Sequence, residues 1–286
     1  MTVTPAFFSR CHAWAAIPAA LGLLAGCATP GDAPPPLLRE ATAQTRAGEE
    51  AYLAGRAGDA IPSLAEAARL HLAAGDLPGA SRALLNLALA QRAAGDANSA
   101  AATATRLRDL TPAALQQENE RAARDGGASE LSTASAWLDA LLAMDRGDLA
   151  AADSALSVAG NNFPATSPWP GRVAVLQAEV ALKAGRFADA LARARAGQAA
   201  CAAAQDRAEE ARAWRFAGAA HRQLGQWTEA RVDFLAALKL EETLGGGARM
   251  TGDLRQLAAI AEHLGDGGAA QLYTQRAAAI AAARTP

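Results

Sequence analysis

The 286-residue chain is predicted to be all-α, a solenoid of helix–turn–helix hairpins, and three observations carry the prediction. Alanine accounts for 82 residues, whereas six Val and four Ile are too few for the β-branched runs of a parallel sheet or the alternating faces of a sandwich. Large apolar residues are thinly spread, so the core must come from helices that approach closely rather than from bulky side chains. A Gly followed five positions later by Ala recurs at Gly55/Ala60, Gly95/Ala100, Gly147/Ala152, Gly185/Ala190, Gly225/Ala230 and Gly265/Ala270. Seven residues before each of these glycines stands a small residue: Gly48, Ala88, Ala140, Ala178, Gly218 and Ala258.

The N-terminal segment reads as an address. Arg10 leads into an apolar stretch from Ala13 to Ala25, too short to span the roughly 30 Å hydrocarbon core as a permanent helix. Its end, Leu24-Ala25-Gly26-Cys27, resembles the lipobox of bacterial lipoproteins. The resemblance implies a signal peptide over residues 1–26, acylation of Cys27, and sorting to the outer membrane, since Ala28 rather than Asp follows the cysteine. Cys11 would leave with that peptide and Cys27 would carry lipid, so Cys201 would remain without an intramolecular disulfide partner; between alanines it reads as a small packing residue. Within the lipidated-cysteine and Pro-rich linker segment 27–40, Ala28 to Pro36 holds Pro30, Pro34, Pro35 and Pro36 and reads as an extended tether reaching up to roughly 25–30 Å from the lipid.

From residue 41 to 286 the recurring pattern governs. Four residues after each signature alanine come Leu64, Ala104, Leu156, Ala194, Phe234 and Thr274, and seven after it Ala67, Leu107, Ala159, Gly197, Ala237 and Ala277. Trp214, Gly218, His221, Gly225, Ala230, Phe234 and Ala237 form the clearest copy; Leu84, Leu87, Ala88, Gln91, Gly95, Ala100, Leu107 and Pro112 form a second. These residues resemble the tetratricopeptide repeat, a helical hairpin in which small residues let two helices close on each other around a glycine turn. The resemblance implies about six repeats and a binding surface for a protein or peptide.

Departures from the family pattern are informative. The small positions step by 40, 52, 38, 40 and 40 residues where the common repeat has 34, so longer helices are expected. The 52-residue step leaves room for an extra helix near 112–124, with Thr111 as cap, Pro112 in its first turn and Gly126-Gly127 at its end. Gly75 and Ala80 repeat the turn pattern half a period along, which leaves two ways to pair the first helices. A loop is expected over 160–171, where three prolines oppose a helix and Phe163 and Trp169 either pack back or offer a contact.

Family geometry places Leu85, Leu89, Trp137, Leu141 and Met144 beside Arg172, Lys183, Arg212, Arg215 and Arg222 on the first helices of successive hairpins. One reading is a groove with apolar anchors and arginines that hold a partner's carboxylates. The other makes Trp137 core and the arginines solvated. Asp206, Glu209 and Glu210 alternate with Arg207 and Arg212 as a solvated face of intrahelical pairs would.

His71, His221 and His263 lack metal-pair spacing, and His221 fills the repeat's aromatic position. Protease, lipase and P-loop signatures do not occur, and the glycine-rich stretch from Gly265 to Ala270 follows a helical pattern instead of a strand. Lys+Arg 27 against Asp+Glu 29 gives no basic field for nucleic acid. The expectation is a non-catalytic, outer-membrane-anchored periplasmic scaffold or assembly factor, without metal, cofactor or small-molecule substrate. An envelope enzyme or enzyme subunit, and a cytoplasmic adaptor with a different N-terminus, are the alternatives.

Overall fold

The computed structural model describes residues 34–125, 130–159, 163, 166–245 and 247–283. Cys27, the signal peptide and most of the tether lie outside them, as do Gly126-Gly127 and residues 160–162 and 164–165. The described residues form twelve helices and no strand: α1 (Pro36–Leu53), α2 (Ala57–Ala73), α3 (Leu77–Ala93), α4 (Ala97–Asp125), α5 (Leu131–Asp145), α6 (Leu149–Ser157), α7 (Trp169–Lys183), α8 (Phe187–Ala203), α9 (Arg207–Gln223), α10 (Trp227–Leu244), α11 (Gly247–His263) and α12 (Gly267–Ala282). The chain divides into an N-terminal unit containing α1–α6 and a C-terminal unit containing α7–α12. Each is a stack of helical hairpins, the all-α class that the sequence predicts.

The turn signature does what its chemistry requires. All six signature glycines have φ between +74° and +86°, in the left-handed region where a Cβ is costly. At Gly95 the glycine N–H donates to Arg92 O and the next N–H, of Asp96, to Gln91 O, closing α3 with two bonds. Asp96 then accepts from the Ser99 N–H at the start of α4. Asp148 and Asp266 cap α6 and α12 in the same way, so a Gly-Asp pair ends one helix and begins the next.

Close approach follows at the small positions. A Cβ on Gly48 would lie 2.5 Å from Leu64 Cγ, and one on Gly218 would lie 2.8 Å from Phe234 Cδ2. The first of these contacts makes α1 and α2 the opening hairpin and resolves the pairing that Gly75 left open; Gly75 shapes the turn into α3 with φ +70°. Ala60, Ala100, Ala152, Ala190 and Ala230 are wholly buried and Ala270 nearly so. In the C-terminal unit, Leu254, Leu257 and Ile260 pack with Phe234 and Leu238. Two 17-residue helices and two three-residue turns account for the 40-residue step there.

Three boundaries differ from expectation. Residues 112–125 continue α4 rather than beginning a new helix. Pro112 withdraws the donor that Arg108 O would have received and costs about 3 kcal/mol inside a helix. Thr111, instead of capping, donates its hydroxyl to Leu107 O at 2.7 Å. The continuation is held by burial of Leu107 and Ala114 and by Gln117, which accepts from Leu77 N–H at 3.0 Å and donates to Gly75 O at 2.9 Å. Residues 36–40 belong to α1, with Pro36 in the first turn where its missing N–H is harmless. Trp169, Pro170 and Gly171 likewise form the first turn of α7 instead of the end of a loop, and Trp169 is buried.

Candidate protein interaction face

In the N-terminal unit the proposed apolar anchors are core. Leu85 and Leu89 on α3, and Trp137, Leu141 and Met144 on α5, are all buried, Trp137 to 1% exposure. The reason is that α3 and α5 are covered on nearly every side, so a stripe drawn from helical spacing does not reach solvent. Phe163 is half-buried.

In the C-terminal unit the proposed cations fall on α7 and α9, where most meet carboxylates of the same chain. Arg172 on α7 is 2% exposed, donates from Nε to Asp206 Oδ2 at 3.0 Å, and lies 5.6 Å from the centre of the Trp169 ring. Asp206 also caps α9 by accepting from the Glu209 N–H, so one carboxylate joins α7 to the start of α9. Arg212 donates from Nη2 to Glu179 on α7 and from Nη1 to Glu209 at 3.2 Å; Lys183 Nζ lies 3.4 Å from the same Glu179. Burial pulls the Arg212 pKa down, but Glu209 and Glu179 together outweigh it and hold it above the usual arginine range. Burial raises the Glu209 carboxyl, against the opposing pull of Arg212.

A second cluster joins α9, α10 and α11. Arg215 donates from Nε to Asp253 Oδ1 at 2.8 Å and from Nη2 to Glu241, while Arg249 donates from Nε to both Glu241 oxygens at 2.7 and 2.8 Å. Asp253 is pushed up to about 6, mainly by burial and against the pull of Arg215. Arg222, one helical turn on from Gly218, donates from Nη1 to the amide of Gln256 at 2.7 Å. Arg195 on α8 donates to Asp233 on α10 at 2.8 Å and lies 5.1 Å from the centre of the Trp214 ring on α9, and His221 Nδ1, also on α9, stands 2.8 Å from Asp233 Oδ2.

The arginines proposed as solvated or free for a partner are therefore mostly engaged within the fold. Sequence offsets along one helix find the exposed Arg207–Glu210 pair but place Asp206 and Glu209 on a solvated face, where the structure buries both. Glu179, Glu241, Asp253 and Gln256 were missed because their partners stand on other helices, 26 to 38 residues away. The signal that could have found them is a carboxylate or amide about one repeat from an arginine. Among the described residues no group of three or more His, Cys, Asp or Glu could hold a metal ion, and no helix is long and apolar enough to cross a membrane. Cys201 is buried against Gly171, where a Cβ would stand 2.5 Å from its Sγ, and burial pushes its thiol pKa up.

No protein-family model and no curated protein matches the sequence. Among solved structures, the crystal structure of BtubC (BKLC) from P. vanneervenii superposes with a TM-score of 0.60 at 18% identity, over 87% of this chain and 92% of that one. The TPR2AB-domain:pHSP90 complex of yeast Sti1 is matched at a TM-score of 0.31 and 15% identity, over 84% of this chain and 98% of that one. The likeness to the former is one of fold; the latter superposes too loosely to bear on this chain.

Proposed function

We propose that this chain is a lipoprotein tethered through Cys27 to the periplasmic face of the outer membrane, where it holds a protein or peptide partner as a non-catalytic scaffold or assembly factor. The observation that carries the interaction part is the repeated hairpin itself. Helical hairpins set side by side build an extended surface, and stacked repeats use such surfaces to bind partners. The engagement of the buried acidic and basic side chains in pairs between helices supports a holding role over a chemical one. The anchoring part rests on the Leu24-Ala25-Gly26-Cys27 sequence and the prolines that follow it.

Two measurements test the parts separately. Cys27→Ser is expected to move the protein from the membrane fraction to the soluble periplasm and to prevent labelling by a clickable fatty acid; a variant that stays membrane-bound and labelled refutes the anchor. Affinity capture from detergent-solubilised envelopes is expected to recover a stoichiometric partner. Capture of nothing under conditions that keep the chain folded refutes the scaffold.

A further inference from the structure

Of the six arginines on α7, α9 and α11 described above, Arg172, Arg207, Arg212, Arg215 and Arg249 each meet a carboxylate of the chain. Arg222 does not. Its Nη1 donates to the neutral Oε1 of Gln256, and among the described residues no carboxylate lies within ion-pair distance of it. The side chain is nonetheless half-buried, and that burial, with no counter-charge against it, pulls its pKa down. A partly desolvated guanidinium held only by an amide is an uncompensated charge that an anion would relieve.

The open side of the group has a shape as well as a charge. Gln256 takes Nη1, leaving the edge formed by Nε and Nη2 without a hydrogen-bond partner among the described residues. That edge is the one this protein uses for side-on carboxylate pairing elsewhere. Arg108 donates from Nε at 3.1 Å and Nη2 at 2.6 Å to the two oxygens of Asp139, and Arg92 grips Asp145 with the same two nitrogens. We propose that Arg222, steadied by Gln256, receives a carboxylate of an acidic protein segment lying across α9 and α11. This deepens the scaffold reading and rests on it: Arg222 becomes the point that selects the charge of the bound segment, while Arg212 and Arg215 hold the hairpins together.

The test uses the full chain in its source cells, with a photo-cross-linking amino acid at the exposed Gln223 or, separately, at the exposed Val232 on α10. The segment joined at Gln223 is read by mass spectrometry. It is expected to carry Asp, Glu or a C-terminal carboxylate at the joined site. Cross-linking should fall roughly tenfold or more in Arg222→Glu, less in Arg222→Lys, and not in Lys239→Glu. Changing the identified acid to Lys should restore cross-linking to Arg222→Glu. Unchanged yield in a folded Arg222→Glu variant overturns the proposal, as does a joined segment without a carboxylate, including one bound through a phosphate. A cross-link at Val232 with none at Gln223 overturns it while leaving the scaffold standing; no cross-link at either position overturns both.

Discussion

Single backbone conformations bear much of the specification. Gly225 has φ +76°, and Gly225→Ala is expected to lower stability by about 1 kcal/mol, read from chemical denaturation, because the added Cβ meets its own carbonyl in the left-handed region. Gln205 occupies the corresponding place before α9 with φ +57° although it is not glycine, so Gln205→Gly is expected to raise the midpoint of thermal unfolding. An unchanged or lowered midpoint would show that the turn is not strained. Ala230 is wholly buried where α10 meets its neighbours, and Ala230→Leu should cost roughly 1–3 kcal/mol through overpacking. Titration follows from burial too. Glu49 is pushed up to about 7 chiefly by burial, against the pull of Arg46, from an ordinary value of 4.5. A carboxyl with a raised folded-state value takes up its proton earlier in the folded chain than in the unfolded one. Its ionised form therefore weakens the fold above pH 7, and the penalty is relieved as pH falls from 7 toward 4.5. Thermal stability should thus gain a component that rises on mild acidification, and Glu49→Gln should abolish that component; an identical pH profile in the variant would refute it.

Between elements, small residues and arginines divide the task. Glycine and alanine let α9 and α10 close to contact at Gly218 and Phe234, but a surface of small side chains resists sliding weakly. The forks of Arg172, Arg212 and Arg215 supply direction, each tying a helix to one outside its own hairpin through a buried carboxylate. Removing one partner strands the other, so Arg172→Ala should destabilise the C-terminal unit by roughly 3–5 kcal/mol; the double variant Arg172→Met/Asp206→Asn, which removes both charges and keeps an amide at the cap, should recover a large part of it. A calorimetric difference below about 1 kcal/mol for the single variant would mean the pair is not buried in solution. This division explains what was legible in the sequence. The turns and close contacts repeat at fixed intervals, so Gly55 through Gly265 and Ala60 through Ala270 could be read as a pattern. The ion pairs join residues on different helices, 26 to 38 positions apart, so Glu179, Glu241 and Asp253 carried no local mark. Pro112 was misleading because a helix start is its common place, whereas here the packing of Leu107 and Ala114 outweighs its cost. Trp137 could be read as groove or as core because helical spacing tells which residues share a face but not whether that face is covered; its burial decides for core.

At the scale of the whole chain, stability is built from neighbours. Hairpin contacts are local in sequence, and each of the two units has buried apolar residues of its own, from Leu84, Leu107 and Leu138 in one to Leu176, Phe234 and Ile260 in the other. In stacked-repeat proteins such local sums allow parts of the array to fold without the remainder, provided the part is long enough to bury a continuous core. The C-terminal unit meets that condition with six helices, buried clusters around Val175 and Leu254, and the arginine ties from α7 through α11. A fragment spanning 163–286 is therefore expected to be helical by circular dichroism and to unfold in a single cooperative transition. Removing α11 and α12 from it should abolish that cooperativity, because Leu254, Leu257, Ile260 and Ala277 leave the cluster and Phe234 and Leu238 lose their cover. Arg215 would lose Asp253 and Glu241 would lose Arg249 in the same cut. A truncated fragment that still melts as sharply as the whole unit would show that the last hairpin is an appendage and not part of the stack, and the acidic segment proposed to lie across α9 and α11 would then need another seat.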